Sequence, residues 1–142
     1  MAFGSMNYLA IVVAAITAWL FGALYYGVFG KQWLAAIGRT QEDMTMKRGT
    51  FAFYLPFIVS FIAEILMAWI LAGAIGHLGP GQATIRNGMI SGAILWTGFV
   101  LTTMLVNNMY AGRKLKLSLI DGTHWLCVLL IMGAVIGAFG GR

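Results

Sequence analysis

Residues 51–75 read FAFYLPFIVSFIAEILMAWILAGAI, with Glu64 as the one charged side chain. A run of about 20 apolar residues is long enough to cross the ~30 Å hydrocarbon core of a bilayer as a helix. The run is continuously apolar and lacks the two-residue alternation of a barrel strand. A helix also satisfies its own backbone hydrogen bonds in lipid, where no water is available. Three more runs of this kind surround it. They predict helices at about 7–29, 51–75, 88–109 and 117–139, and so one all-α domain over residues 1–142, an integral membrane four-helix bundle.

Composition agrees. Of 142 residues, 61% are hydrophobic and 9% charged, where a soluble domain carries about 25% charged residues. So few charges cannot cover a water-facing surface, so lipid is the expected solvent. The net charge is +5, but no aromatic-basic surface motif accompanies it, and nucleic acid is not an expected partner. The single cysteine, Cys127, lies in an apolar run and reads as a small filler, not a disulfide or a metal ligand. The first fifteen residues contain no Lys or Arg, so no cleavable signal is expected. Met6 is a plausible start, with Met1 to Ser5 as an extension.

The basic residues set the expected orientation. Lys31, Arg39, Lys47, Arg48, Arg113, Lys114 and Lys116 fall in the first and third connections, and Arg86 and Arg142 on the opposite side. Basic loops stay in the cytoplasm, which predicts an inner membrane protein with both termini periplasmic. Tyr25, Tyr26, Trp33, Tyr54 and Tyr110 gather at the same boundary, as expected of headgroup-level aromatics. Trp33, Leu34 and Ile37 share one face of a short interfacial helix. Thr40 to Asp43 resembles a capping box opening a second short helix over about 41–48. Pro56 suits the first turn of a helix starting near Leu55.

Small residues recur at spacing four: Ala10, Ala14, Ala18 and Gly22 on helix one; Ser60, Ala68, Ala72 and Gly76 on helix two, with Glu64 on the same stripe; Gly88 and Gly92 on helix three; Gly133, Gly137 and Gly141 on helix four. Such stripes let backbones approach closely, which is how helices associate in lipid.

Several of these residues also carry a resemblance. Gly22-Ala-Leu-Tyr-Tyr-Gly27, then Phe29-Gly30 and Trp33, lead the set. Gly88, Gly92, Trp96, Gly98 and Phe99 continue it, followed by Tyr110-Ala-Gly-Arg113 and Leu119-Ile-Asp-Gly-Thr-His124. In order and spacing they resemble a bacterial membrane family catalogued as domain of unknown function 1761. Tyr25 stands where that family tends to have Trp, and Asp121 where an amide is common. The resemblance implies a four-helix membrane protein and carries no activity.

The polar residues inside the spans need a reason to be there. An ionisable group at the bilayer centre costs at least ~2.5 kcal/mol and usually faces a bundle interior or a cavity. Glu64 therefore reads either as a proton or cation site or as a hydrogen-bonded carboxyl joining helices. Asp121 and His124 are three apart and share a face. Counting the rise along each helix predicts that Glu64 and His124 meet at similar depth. Asn107 and Asn108 are expected to join Asp121 in a polar cluster; for Asp121 the alternative is a first-turn acid facing the helix dipole. No catalytic set, phosphate loop, dinucleotide fingerprint or metal cluster is present in the pattern. Haem ligation by His77 or His124 lacks a second ligand, and no cofactor is expected. Two functions remain. One is a non-enzymatic accessory or scaffold subunit that packs against other membrane proteins or its own copies. The other is a small proton-coupled transporter or channel, a homo-oligomer with Glu64 as its ionisable site.

Overall fold

The computed structural model describes residues 6–45 and 48–140, which contain six α-helices. They are α1 (Tyr8–Ile37), α2 (Gln41–Thr45), α3 (Phe51–Gly76), α4 (Ile85–Leu95), α5 (Thr102–Tyr110) and α6 (Leu115–Ala138). A π-helical segment, Trp96–Leu101, joins α4 to α5 without a break. α1, α3, the continuous Ile85–Tyr110 rod and α6 are each long and apolar enough to cross a membrane. The shortest has 24 residues, or roughly 36 Å at 1.5 Å per residue. The predicted extension Met1 to Ser5, and Lys47, Gly141 and Arg142, lie outside the described residues.

Local chemistry sets the ends. Asn7 caps α1, its Oδ1 accepting the Ala10 N–H at 2.9 Å, and Gly38 ends the helix in the left-handed region at φ 73°. Only glycine adopts that conformation without a Cβ penalty. The Thr40–Asp43 box forms as the sequence implies: Thr40 N–H donates to Asp43 Oδ2 at 2.9 Å, and Asp43 N–H to Thr40 Oγ1 at 3.4 Å. Thr84 caps α4 by accepting the Asn87 N–H.

Three local expectations change. The Trp33–Ile37 segment is the last turns of α1, not a separate interfacial helix, because nothing between Gly30 and Ile37 breaks the helix. α3 begins at Phe51, not near Leu55, so Pro56 is its sixth residue and removes the bond that would reach the Ala52 carbonyl. The third span starts at Ile85, three residues earlier than expected, because Thr84 caps it. Its π segment has no counterpart in the sequence reading.

Successive spans run antiparallel, with the start of α1, the end of α6 and the α3–α4 connection at one end, here the terminal end, and the basic connections at the other, the loop end. α6 is the centre of the bundle and touches α1, α3 and α4. Ala14, Ala15 and Ala18 of α1, Ala68, Leu71 and Ile75 of α3, and Val128, Leu129, Met132 and Ile136 of α6 form the core. α4 and α6 meet backbone to backbone. A Cβ on Gly88 would overlap the Gly133 carbonyl, and one on Gly137 the Thr84 carbonyl. At Gly92 it would lie 2.5 Å from the Leu129 carbonyl oxygen. The lipid-sized outer surface carries Leu20, Leu24, Ile62, Leu66, Ile70, Ile94 and Phe99, all exposed.

Candidate functional site: polar groups inside the bundle

Contacts between helices fix their register. Trp19 Nε1 donates to the Phe57 carbonyl at 3.1 Å and to Ser60 Oγ at 3.2 Å. Gly73 faces the Met6 side chain. Antiparallel pairing through both points sets Glu64 opposite Ala15. On the other side of α1, Tyr26 Oη donates to Asp121 Oδ1 at 2.7 Å, and Gly22 faces His124. The same counting sets Ala15 opposite Ile131. His124 and the level of Glu64 are therefore seven residues apart, about 10 Å along the bundle. The two do not meet as the sequence implied. Neither Glu64 Oε2 nor either His124 ring nitrogen has a hydrogen-bond partner. The helix starts explain only part of the offset: α3 begins before Leu55 and α6 before Leu117, both toward the loop end, so the two shifts largely cancel, and the rest is axial stagger between the two helices.

The level nearer the loop end is an aromatic enclosure. His124 is 4% exposed. Its ring lies parallel to Phe21 at 6.2 Å, and tilted against Tyr26 at 4.8 Å, Tyr25 at 5.4 Å and Trp125 at 4.9 Å. The glycine at 22 makes room for it: a Cβ there would lie 2.9 Å from Nε2. Aromatic pairs of this kind contribute about 0.5–1.5 kcal/mol each, which offsets the cost of leaving imidazole nitrogens unpartnered, about 1–3 kcal/mol for each. Next to it, Tyr26 holds Asp121, and Trp33 packs edge-on against the Tyr26 ring at 6.0 Å. Tyr25 Oη donates to the Ile120 carbonyl at 2.9 Å. Tyr25, Tyr26 and Trp33 are thus partly buried against the bundle, where the sequence implied headgroup-level aromatics; Tyr54 and Tyr110 are exposed.

The expected Asn107–Asn108–Asp121 cluster does not form. Asn108 Nδ2 donates to Ser118 Oγ at 2.9 Å, Asn107 is exposed, and the Asp121 carboxylate is engaged by Tyr26. One turn along α6, Trp96 Nε1 donates to the Gly122 carbonyl at 2.9 Å. These two bonds tie the third span to α6 on either side of its π segment. Such segments occur mostly as single-turn insertions at functional positions.

The level nearer the terminal end contains Glu64 alone. It is 2% exposed, in the middle of α3, on the face that carries Ala68, Leu71 and Ile75. Among the described residues, no three His, Cys, Asp or Glu side chains converge.

Sequence reasoning missed Tyr26, Trp96 and Trp19 as the donors joining the helices. Two signals were present. Gly88, Gly92 and Trp96 have spacing four, so the indole lies on the glycine face that meets α6. Gly22 and Tyr26 share a face in the same way on α1. A family model described as "Protein of unknown function (DUF1761)" matches residues 9–137, a range that includes all of these residues. No curated protein and no solved structure matches the chain.

Proposed function

The chain belongs to the DUF1761 family of proteins of unknown function, and from that footing we propose that it is a non-enzymatic assembly subunit that binds a neighbouring membrane chain through its third span. One observation carries this reading. Of the residues in the third span's apolar stretch, 6% are buried, against 39% in α6. The part left uncovered is not uniformly lipid-like. Gly98, Thr102, Thr103 and Asn107 are exposed there, and nothing lies within 4 Å of where a Gly98 side chain would begin. Thr102 Oγ1 donates back to the Gly98 carbonyl at 2.7 Å, which leaves a small, smooth strip. In lipid, helices associate through small and hydroxylated residues, because apolar bulk gives no preference over the lipid tails. The glycines and alanines at the centre of the other stripes are taken up within the bundle: Ala14, Ala18 and Ala68 are buried, and Gly88, Gly92, Gly133 and Gly137 are used between α4 and α6. Glu64 sits at a different level from Tyr26, Asp121 and His124, and among the described residues no three His, Cys, Asp or Glu side chains converge, which supports a non-enzymatic role.

Cysteine cross-linking in native membranes tests the proposal, in a Cys127→Ala background. Gly98→Cys and Thr102→Cys are expected to form an adduct, with a copy or with a second protein. Leu66→Cys, equally lipid-facing on α3, is expected to form none. Equal adducts from both faces refute the proposal. The proposed setting is the bacterial inner membrane with both termini periplasmic, supported by the basic connections at one end. Arg86→Cys should then react with an impermeant maleimide from the periplasmic side, and Lys114→Cys only after permeabilisation.

Glu64 favours a second reading, a small proton-coupled transporter or channel acting as a homo-oligomer. An unpartnered carboxyl buried at mid-span is a functional candidate by default. Loss of proteoliposome flux in Glu64→Gln is the expected result, and unchanged flux removes the carboxylate mechanism.

A further inference from the structure

We propose that Glu64 is a site for a proton and for no metal cation, independent of the Tyr26–Asp121–His124 group. This deepens the second reading above and rests on it for any role in transport, but the site itself is argued from its surroundings.

Too few oxygens surround Glu64 to hold a metal ion. Hard metal cations are held by about six or more oxygens. Glu64 brings two. At its level α1 presents Ala14, Ala15 and Ala18, and α6 presents Val128 and Met132, all buried and all without a side-chain oxygen. The nearest hydroxyl along α3, Ser60 Oγ, already donates to the Phe57 carbonyl at 2.9 Å and accepts from Trp19. Thr17 Oγ1 is bound to the Val13 carbonyl and exposed. Backbone carbonyls offer nothing more, since α1, α3 and α6 run as unbroken helices through this level and keep their carbonyls in their own ladders. The ladder is interrupted away from this level: Pro56 frees the Ala52 carbonyl near the loop end of α3, and the π segment of the third span begins at Trp96, whose indole is bonded to Gly122 nearer the loop end. A proton needs one oxygen lone pair, and a protonated carboxyl is both donor and acceptor. A metal ion would be left with most of its shell missing.

Glu64 is also isolated. From α1, the titratable groups are Tyr8, about seven residues toward the terminal end, and Tyr25, Tyr26 and the exposed Lys31, ten or more toward the loop end. From α6, Cys127 is about four residues away toward the loop end, His124 seven, Asp121 ten and the exposed Lys116 about fifteen. From α4, Arg86 lies toward the terminal end and is exposed. On α3 itself the other titratable groups are Tyr54 and, just past its end, His77, both exposed. Among the described residues no charged side chain reaches the level of the Glu64 carboxyl. Its proton occupancy is thus set by the apolar cage and by access, not by a charged neighbour.

The experiment uses the fact that the chain has two glutamates, Glu42 and Glu64. Glu42→Gln, in the exposed short helix α2, leaves Glu64 as the only one without touching the site. The full chain is labelled with carboxyl-13C glutamate, placed in lipid vesicles and followed by infrared difference spectroscopy across pH. The expected result is an isotope-shifted acid carbonyl band whose midpoint is the same in K+, in Na+ and with added Ca2+. An acid band that persists over the whole range in every salt supports the proposal equally. A competing cation at a hundred times its Kd would lower proton affinity about a hundredfold. A midpoint that falls in this way overturns the proposal, as does a carboxylate band at every pH. Flux through Glu64→Gln separates the two claims. Unchanged flux beside a salt-independent titration removes transport and leaves the proton site standing.

Discussion

Consider Gly88→Ala. The added methyl carbon meets the Gly133 carbonyl at less than any tolerated carbon–oxygen separation. The obstacle is backbone, which cannot rotate away, so α4 and α6 must part. Overpacking of this kind costs about 1–3 kcal/mol, and a rigid neighbour places it at about 3. Alanine returns about 1 kcal/mol over glycine in helix propensity. The net loss is about 2 kcal/mol, roughly a thirtyfold fall in the folded-to-unfolded ratio. Gly27→Ala is the matched control, since nothing lies within 4 Å of its added carbon. It keeps only the propensity gain, so the two variants should differ by about 3 kcal/mol and in sign. Reversible unfolding in mixed micelles, followed by tryptophan emission and circular dichroism, measures both. The double variant Gly88→Ala/Gly133→Ala should lose less than the sum of its parts, because one separation admits both methyls. If Gly88→Ala and Gly27→Ala shift stability by the same amount in the same direction, the backbone contact between α4 and α6 is not what holds the third span.

Other outcomes follow from single contacts. Tyr26→Phe removes the donor to Asp121 and should cost about 1.5–3 kcal/mol if the acceptor is charged; a second change, Asp121→Leu, should recover part of that loss in the same unfolding assay. Trp96→Phe removes the bond to the Gly122 carbonyl and should cost about 0.5–1.5 kcal/mol, with faster amide exchange confined to 96–101. Gly22→Ala should displace the His124 ring, read as a changed imidazole resonance in NMR spectra. His124→Ala should make the same substitution at 22 nearly neutral.

The number of spans and the small-residue faces on which several of them pack were legible in the sequence because lipid leaves so few options. A run such as Phe51–Ile75 must be a helix, and residues at spacing four must share a face. The capping box at Thr40 was legible for the same reason, since it depends on neighbours in sequence. What could not be read was depth. The position of Glu64 relative to His124 depends on where two separate helices begin and on how far one is staggered along the other, and only the starts, at Phe51 and Leu115, leave any local signal. The partner of Asp121 was equally hidden. Asn107 and Asn108, at the loop end of the third span, were the polar side chains expected at that level, but α1 crosses α6 there and Tyr26 takes the carboxylate. The π segment leaves no pattern of its own, because a one-residue change of register is small beside the variation of a mostly apolar run.

The central place of α6 bears on how the chain is made. It leaves the ribosome after the three other spans, and each of them packs on it. α1 and α3 can pair early through Trp19 and Ser60, but the glycines of α4 have no surface to meet until Gly133 and Gly137 arrive. Until then Glu64 also lacks the Val128–Met132 wall that closes its cage. A nascent chain stalled after the third span therefore exposes an uncovered carboxyl and an unpaired glycine face within the bilayer at once. Those are the features by which an insertion factor or a membrane quality-control protease would distinguish an unfinished molecule from a finished one.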